Sequence, residues 1–193
     1  MNNDFSLKNP VIKFLLYFGL LYITWFAVYD VALHPVVIDE TGKQVRSEAF
    51  IDTKMVHATI SISEKIIRAM GFVVYTDGDR QLYIEGSSGI WIGDNCNAIT
   101  LIALFAGFII AYPGKIKRKL WYIPLGSSIV FLLNILRMVI LTILDTYSRA
   151  WTEFNHTYTF NIIIYGVIFA LWIYWVQKLS GNKLNIKEEK KGE

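Results

Sequence analysis

Long apolar blocks are the feature that most constrains how this chain can fold. The first, VIKFLLYFGLLYITWFAVYDVAL, begins at Val11 and offers about 20 residues, enough for one helix to cross the hydrocarbon core of a bilayer. Further blocks at roughly residues 98–112, 120–144 and 158–176 predict three more spans, the second being the shortest. Because 54% of the residues are hydrophobic and 15% are aromatic, the composition also excludes an ordinary soluble domain. We therefore predict an all-α integral membrane protein with about four transmembrane helices.

The positions of the basic residues predict how the chain is oriented in the membrane. The loop PGKIKRK between the second and third spans holds Lys115, Lys117, Arg118 and Lys119 and no acid, and the tail after Gln177 is also rich in lysine. Since short basic loops stay on the cytoplasmic side during insertion, both should face the cytoplasm, and the long segment between the first two spans should face outward. The predicted location is the cytoplasmic (inner) membrane. The net charge of +3 comes from these anchors, so no nucleic-acid partner is expected.

The outward-facing segment is long enough to form a small extracytoplasmic α+β cap. DTKMVHATISISEKIIRAMG is typical of a helix that lies on the membrane surface and ends at Gly71; its apolar residues are Met55, Ile62, Ile66, Ile67 and Met70. FVVYTDGDRQLYIEG follows, and its Asp-Gly pair predicts a β-hairpin. The expected divisions of the chain are 1–29 (N-terminal tail and first span), 30–95 (cap), 96–178 (three-helix transmembrane core) and 179–193 (charged cytoplasmic tail).

Four polar residues from three different spans are predicted to meet at one depth. Cys96, the only cysteine, opens the second span, and Asn134 and Arg137 interrupt the third. At 1.5 Å per residue, Arg137 lies about 25 Å above the inner edge, where burying an arginine costs on the order of 2.5 to 3.5 kcal/mol on insertion scales. His156 opens the fourth span at the same outer end. A cation that stabilises a thiolate and an imidazole that moves its proton are the groups that activate a cysteine nucleophile.

Each of these residues also has a plain structural interpretation. A single membrane cysteine is often an inert small hydrophobe, Arg137 can extend its side chain to the outer headgroups, and a histidine at this position can be a simple interfacial residue. The joint placement of the three favours the catalytic interpretation. His34 and His57 have no Cys, Asp or Glu at metal-ligand spacing, so no metal site and no cofactor is predicted.

At these residues the chain resembles the exosortase/archaeosortase family of membrane transpeptidases. The motifs are CNAI at Cys96 where a span opens, NILR from Asn134 to Arg137 inside the next span, and His156 where the following span opens. The chain departs from many relatives by having one span before the cysteine instead of several, which is similar to the compact exosortase F type. How the substrate helix is held, and whether a homo-oligomer or an accessory protein helps, is left open by this shortness.

The resemblance implies a membrane-embedded cysteine protease or transpeptidase with Cys96 as nucleophile and Arg137 and His156 as its catalytic partners. Its substrates would be secreted proteins with a C-terminal sorting signal made of a short motif, a hydrophobic helix and a basic cluster, cleaved at the outer face of the membrane and transferred to an acceptor. Asn134 is expected to orient Arg137 and Asp94 to orient His156, and Asn97 belongs to the cysteine motif as a further supporting residue.

Two other functional classes remain open on the sequence alone. A non-enzymatic membrane assembly or scaffold protein could use Asn134 and Arg137 as contacts between helices, and it would tolerate replacement of Cys96. A small transporter would need polar groups through the whole membrane thickness. The inner halves of the spans offer little beyond Thr100, Ser127 and Ser128, which disfavours transport.

Overall fold

The computed structural model describes residues 10–34, 36–38, 43–46, 50–77, 80–93, 96 and 98–181. It is mainly helical, with two small antiparallel sheets. The helices are α1 (Pro10–Ala27, continued by the π-helical turn Val28–Leu33), α2 (Phe50–Ala69), α3 (Ile99–Ala111), α4 (Ile116–Asp145), α5 (Arg149–Phe154) and α6 (Phe160–Tyr174), the last flanked by the π-helical turns Asn155–Thr159 and Trp175–Leu179. The strands are β1 (Val36–Ile38), β2 (Gln44–Arg46), β3 (Val74–Asp77), β4 (Gln81–Ile84) and β5 (Ile90–Trp91).

Three helical segments in the described part of the chain are long and apolar enough to cross a membrane. They are Val11–Val31, Ile116–Asp145 and Arg149–Leu179, and the shorter apolar helix Ile99–Ala111 accompanies them. The prediction of a helical membrane protein with a small cap is confirmed. The last span starts earlier than predicted because α5 runs through a π-helical turn into α6 without a break.

Two hydrophobic clusters lie at different levels of the molecule, and α4 contributes to both. The membrane cluster surrounds Phe105 of α3, Tyr122 of α4 and Trp175 at the end of the last span. The cap cluster packs the apolar faces of α2 and of the sheet β3-β4-β5 against Ile135, Met138 and other residues in the second half of α4. The second half of α4 is therefore covered by the cap on one side, while its first half belongs to the membrane bundle.

The predicted β-hairpin is present as β3 and β4. The two strands pair antiparallel, with Val74 opposite Ile84 and Asp77 opposite Gln81. Gly78 and Asp79 of the expected turn lie outside the described residues. β5 then pairs with β4 and completes a sheet in the order β3-β4-β5.

Helix α2 is present close to its predicted bounds. Of the five apolar residues expected on its membrane-facing side, Ile67 is buried within the protein, whereas Ile62, Ile66 and Met70 are exposed. The helix turns a different stripe inward, made of Asp52, Val56, Thr59, Ile60, Ser63 and Ile67. This stripe contains polar residues because Asp52 has partners there: the Tyr29 hydroxyl donates to its carboxylate over 2.8 Å, and His34 Nε2 lies 2.9 Å from it.

Candidate active site

Cys96 is held by its own backbone at the entrance to α3. Its N–H donates to the carbonyl of Gly93 over 2.9 Å, and its carbonyl accepts from Asn134 Nδ2 over 2.7 Å. α3 begins three positions later, after Ala98, whose backbone is in the left-handed region at φ 66°. The thiol is half-buried.

His156 is the direct partner of the thiol. Its Nε2 lies 3.6 Å from Cys96 Sγ, within hydrogen-bond distance for sulfur. The residue belongs to the π-helical turn Asn155–Thr159, and such turns inside helices are frequent at functional sites. This pair, joined across 60 positions of sequence, has the geometry that a general base and a nucleophile require.

Arg137 lies beside this pair and is buried, with 5% of its side chain exposed. One of its terminal nitrogens donates to the backbone carbonyl of His156 over 3.2 Å. Within the described part of the chain its Nε has no hydrogen-bond partner. A buried guanidinium with a donor to spare can stabilise a negative charge that develops on the thiol or on a bound substrate.

Asn134 lies one helical turn before Arg137 and is almost fully buried, at 1% exposure. Its amide nitrogen contacts Cys96, and its Oδ1 is without a hydrogen-bond partner among the described residues. No hydrogen bond from Asn134 to Arg137 is found in that same part of the structure. The geometry thus connects Asn134 to the backbone of the cysteine, while Asp94 and Asn97 lie outside the described residues.

The structure also shows a polar contact that sequence reasoning missed. The carboxylate of Asp145, at the end of α4, accepts from the backbone N–H of Gly89 over 2.8 Å and from Arg149 over 3.2 Å. Arg149 donates in turn to the carbonyl of Gly89 over 3.0 Å. This triad fixes the loop before β5 to α4 and α5. The spacing of Asp145 and Arg149, four positions apart at the end of an apolar span, is the one signal in the sequence that pointed to it.

A cleft opens onto the imidazole. It has a volume of about 320 Å³ and is lined by Ile90 and Trp91 of β5, by Arg149, Thr152 and Glu153 of α5, and by His156 and Thr157. The described residues contain no group of three or more His, Cys, Asp or Glu side chains close enough to hold a metal ion. The chemistry available at the site is that of a thiol, an imidazole and a guanidinium.

Together, the membrane helices, the cap and the polar cluster at their junction define a multi-pass membrane protein with a thiol–imidazole pair and a buried arginine at the end of its bundle. The model of the transmembrane exosortase family matches residues 12–179. The chain therefore belongs to the transmembrane exosortases, and this membership supports a general role as a membrane transpeptidase in protein sorting. No curated protein and no solved structure matches the chain.

Proposed function

We propose that this protein is a cysteine transpeptidase that cleaves the C-terminal sorting signal of secreted proteins. The observation that carries the proposal is the 3.6 Å contact between Cys96 Sγ and His156 Nε2, next to the buried guanidinium of Arg137. Family membership supports secreted substrates with sorting signals in general. Their motif, hydrophobic helix and basic cluster are part of the proposal.

In the first half of the reaction, His156 takes the proton of the Cys96 thiol, and the thiolate sulfur attacks the carbonyl carbon of the scissile peptide. The negative charge that develops on the carbonyl oxygen is stabilised by Arg137. When the carbon–nitrogen bond breaks, His156 returns the proton to the departing amine. The substrate is then held as a thioester on Cys96, and the C-terminal helix stays behind in the membrane.

In the second half, an amine acceptor attacks the thioester carbonyl. His156 removes the proton from that amine and gives it back to the sulfur as the carbon–sulfur bond breaks. An acceptor amine on a lipid or a glycan gives a transpeptidase, whereas attack by water gives a free carboxylate and makes the enzyme a protease. Asn134 supports both steps by fixing the carbonyl of Cys96, so that the sulfur stays in reach of His156.

The proposed site faces the outside of the cytoplasmic membrane. Cys96 opens α3, and the loop between α3 and α4 carries Lys115, Lys117 and Lys119 at the opposite end of these helices. The positive-inside rule assigns that loop to the cytoplasm. A scissile bond just before a transmembrane helix would then be presented at the level of the thiol.

The test is a co-expression experiment with a sorting-signal reporter: a secreted protein that ends in a motif, a hydrophobic helix and a basic cluster taken from the same genome. Loss of the reporter's C-terminal helix is followed on a gel for the wild type and for Cys96→Ala, Arg137→Ala and His156→Ala at matched expression. All three variants are expected to stop processing. His57→Ala, which removes an exposed histidine, is the matched control and should process normally. Normal processing by Cys96→Ala would instead favour the scaffold function.

A further inference from the structure

The cleft between β5 and α5 lies next to the proposed catalytic residues, and their contacts with one another do not account for it. Its volume of about 320 Å³ is at the low end of the roughly 300 to 1,000 Å³ found for ligand clefts. His156 forms part of its wall, and the same imidazole contacts Cys96. A ligand in this cleft therefore lies directly beside the reacting sulfur.

Part of the cleft lining, Ile90 and Trp91, belongs to an edge strand of a β-sheet. In the sheet β3-β4-β5, the described strands leave β5 paired on one side only, with Trp91 opposite Gln81. A strand edge of this kind presents backbone N–H and C=O groups that an extended polypeptide can pair with. Lipid chains have no groups that would use such an edge.

The side chain of Trp91 is placed to cover a bound chain. It is 65% exposed, and the guanidinium of Arg80 lies 5.8 Å from its ring centre on one face. The ring also packs over Gly93, where a β-carbon would come within 2.6 Å of it. The carbonyl of Gly93 accepts from the N–H of Cys96, so Trp91 lies close along the chain to the nucleophile without contacting it in any described hydrogen bond.

α5 contributes polar residues to the lining of the cleft. Glu153 is 69% exposed and pairs with Arg149 over 3.3 Å, and Thr152 is a further lining residue from this helix. The contacts of Arg149 with Asp145 and Gly89 keep these residues at a fixed distance from β5. A lining that combines polar residues with a strand edge suits a peptide backbone and its side chains.

We propose that this cleft binds the short extended segment of the substrate polypeptide that borders the scissile bond. The segment pairs its backbone with β5, is covered by Trp91, and has its polar side chains against Glu153. The cleft proposal rests on the proposed function. It assigns recognition of the substrate's motif to Trp91 and Glu153. A separate apolar groove, lined by Ala150, Trp151 and Phe154, includes neither Trp91 nor Glu153 and serves as a control region.

The first experiment detects binding without chemistry. The full-length protein carrying Cys96→Ala and a photoreactive p-benzoylphenylalanine in place of Trp91 is co-expressed with the sorting-signal reporter, irradiated in membranes, and analysed by mass spectrometry. The expected crosslink joins position 91 to the reporter segment just before its hydrophobic helix. The same photoreactive residue in place of Trp151, which is equally exposed at 65%, should not reach that segment.

The second experiment measures processing with Cys96 intact. Trp91→Ala is expected to lower the rate of reporter processing at least about fivefold, as loss of an aromatic anchor does in peptide recognition, and Trp151→Ala should stay within about twofold of the wild type. Alkylation of Cys96 by iodoacetamide should proceed at the wild-type rate in Trp91→Ala. Because the chain has a single cysteine, that rate reports on the nucleophile alone.

The outcomes separate the two proposals. If the wild type processes the reporter through Cys96, but Trp91→Ala behaves like Trp151→Ala and position 91 does not crosslink the segment, the cleft proposal is overturned and the transpeptidase function stands. Crosslinks from position 91 to lipid or only to the hydrophobic helix also overturn it. If Cys96→Ala processes as well as the wild type, the proposed function fails and the cleft proposal falls with it.

Discussion

Replacing Asp145 by alanine should loosen the cap from the membrane bundle. The carboxylate is fully buried and accepts the N–H of Gly89, itself buried, over 2.8 Å. Alanine leaves that N–H without an acceptor and also removes the contact with Arg149. The loop before β5 then loses the contacts that hold it to the end of α4.

Three contributions set the free energy that Asp145→Ala removes from this contact. A hydrogen bond to a buried charged acceptor contributes about 1.5 to 3 kcal/mol. The ion pair with Arg149, which is 56% exposed, adds less than about 1 kcal/mol because solvent screens it. A carboxylate at the C-terminal end of α4 opposes the helix dipole, so its removal returns about 0.3 to 1 kcal/mol. The last two nearly cancel, and the net loss is about 1.5 to 3 kcal/mol, dominated by the Gly89 bond.

Hydrogen exchange measured by mass spectrometry on the protein in detergent micelles tests this value. Amides in residues 80–93 should lose about tenfold to about 150-fold of their protection, since each 1.4 kcal/mol corresponds to a factor of ten. Glu153→Ala removes only the exposed side of the Arg149 pair and should change protection less than about fivefold. Equal losses of protection in the two variants, or a loss below about threefold in Asp145→Ala, would show that the Gly89 bond does not hold the loop to α4.

Three further predictions concern the site and its support. Asn134→Ala removes the donor to the Cys96 carbonyl and should slow reporter processing at least about tenfold. The rates are measured on gels, and a wild-type rate in this variant would contradict the prediction. Arg137→Lys keeps the charge but loses the planar set of donors, and we expect about a tenfold loss in the same assay; full activity would mean that charge alone suffices. Gly89→Ala places a β-carbon 2.7 Å from Tyr83 Cβ at a φ of 80°, so thermal unfolding in detergent should show a loss of about 1 to 3 kcal/mol, and an unchanged melting temperature would contradict the strain.

The spans and the hairpin could be predicted because their signals are local. A long apolar block or an Asp-Gly pair between β-prone runs identifies its element from neighbouring residues alone. The buried face of α2 could not be predicted in this way. Its stripe includes Asp52, whose burial depends on Tyr29 and His34 at the end of the first span, and such partners are known only once the chain has folded.

In the candidate site, too, only part of the arrangement could be predicted from the sequence. Depth along the spans was enough to expect Cys96, Arg137 and His156 at one level, and the structure brings them into contact. The partner of Asn134 was expected to be Arg137, because the two are one turn apart on the same helix. Its amide instead reaches across to the backbone of Cys96, a choice that depends on the crossing of α3 and α4 and has no signal in sequence spacing.

The shortness of α3 has a consequence for the lipid around the protein. With 13 residues the helix is about 20 Å long, whereas the hydrocarbon core is about 30 Å thick. Local thinning of the bilayer is one way in which so short a helix is accommodated. Under the proposed function, such thinning would bring the membrane surface closer to the thiol at the head of α3, and acyl-chain length would set how far a scissile bond must descend to reach it.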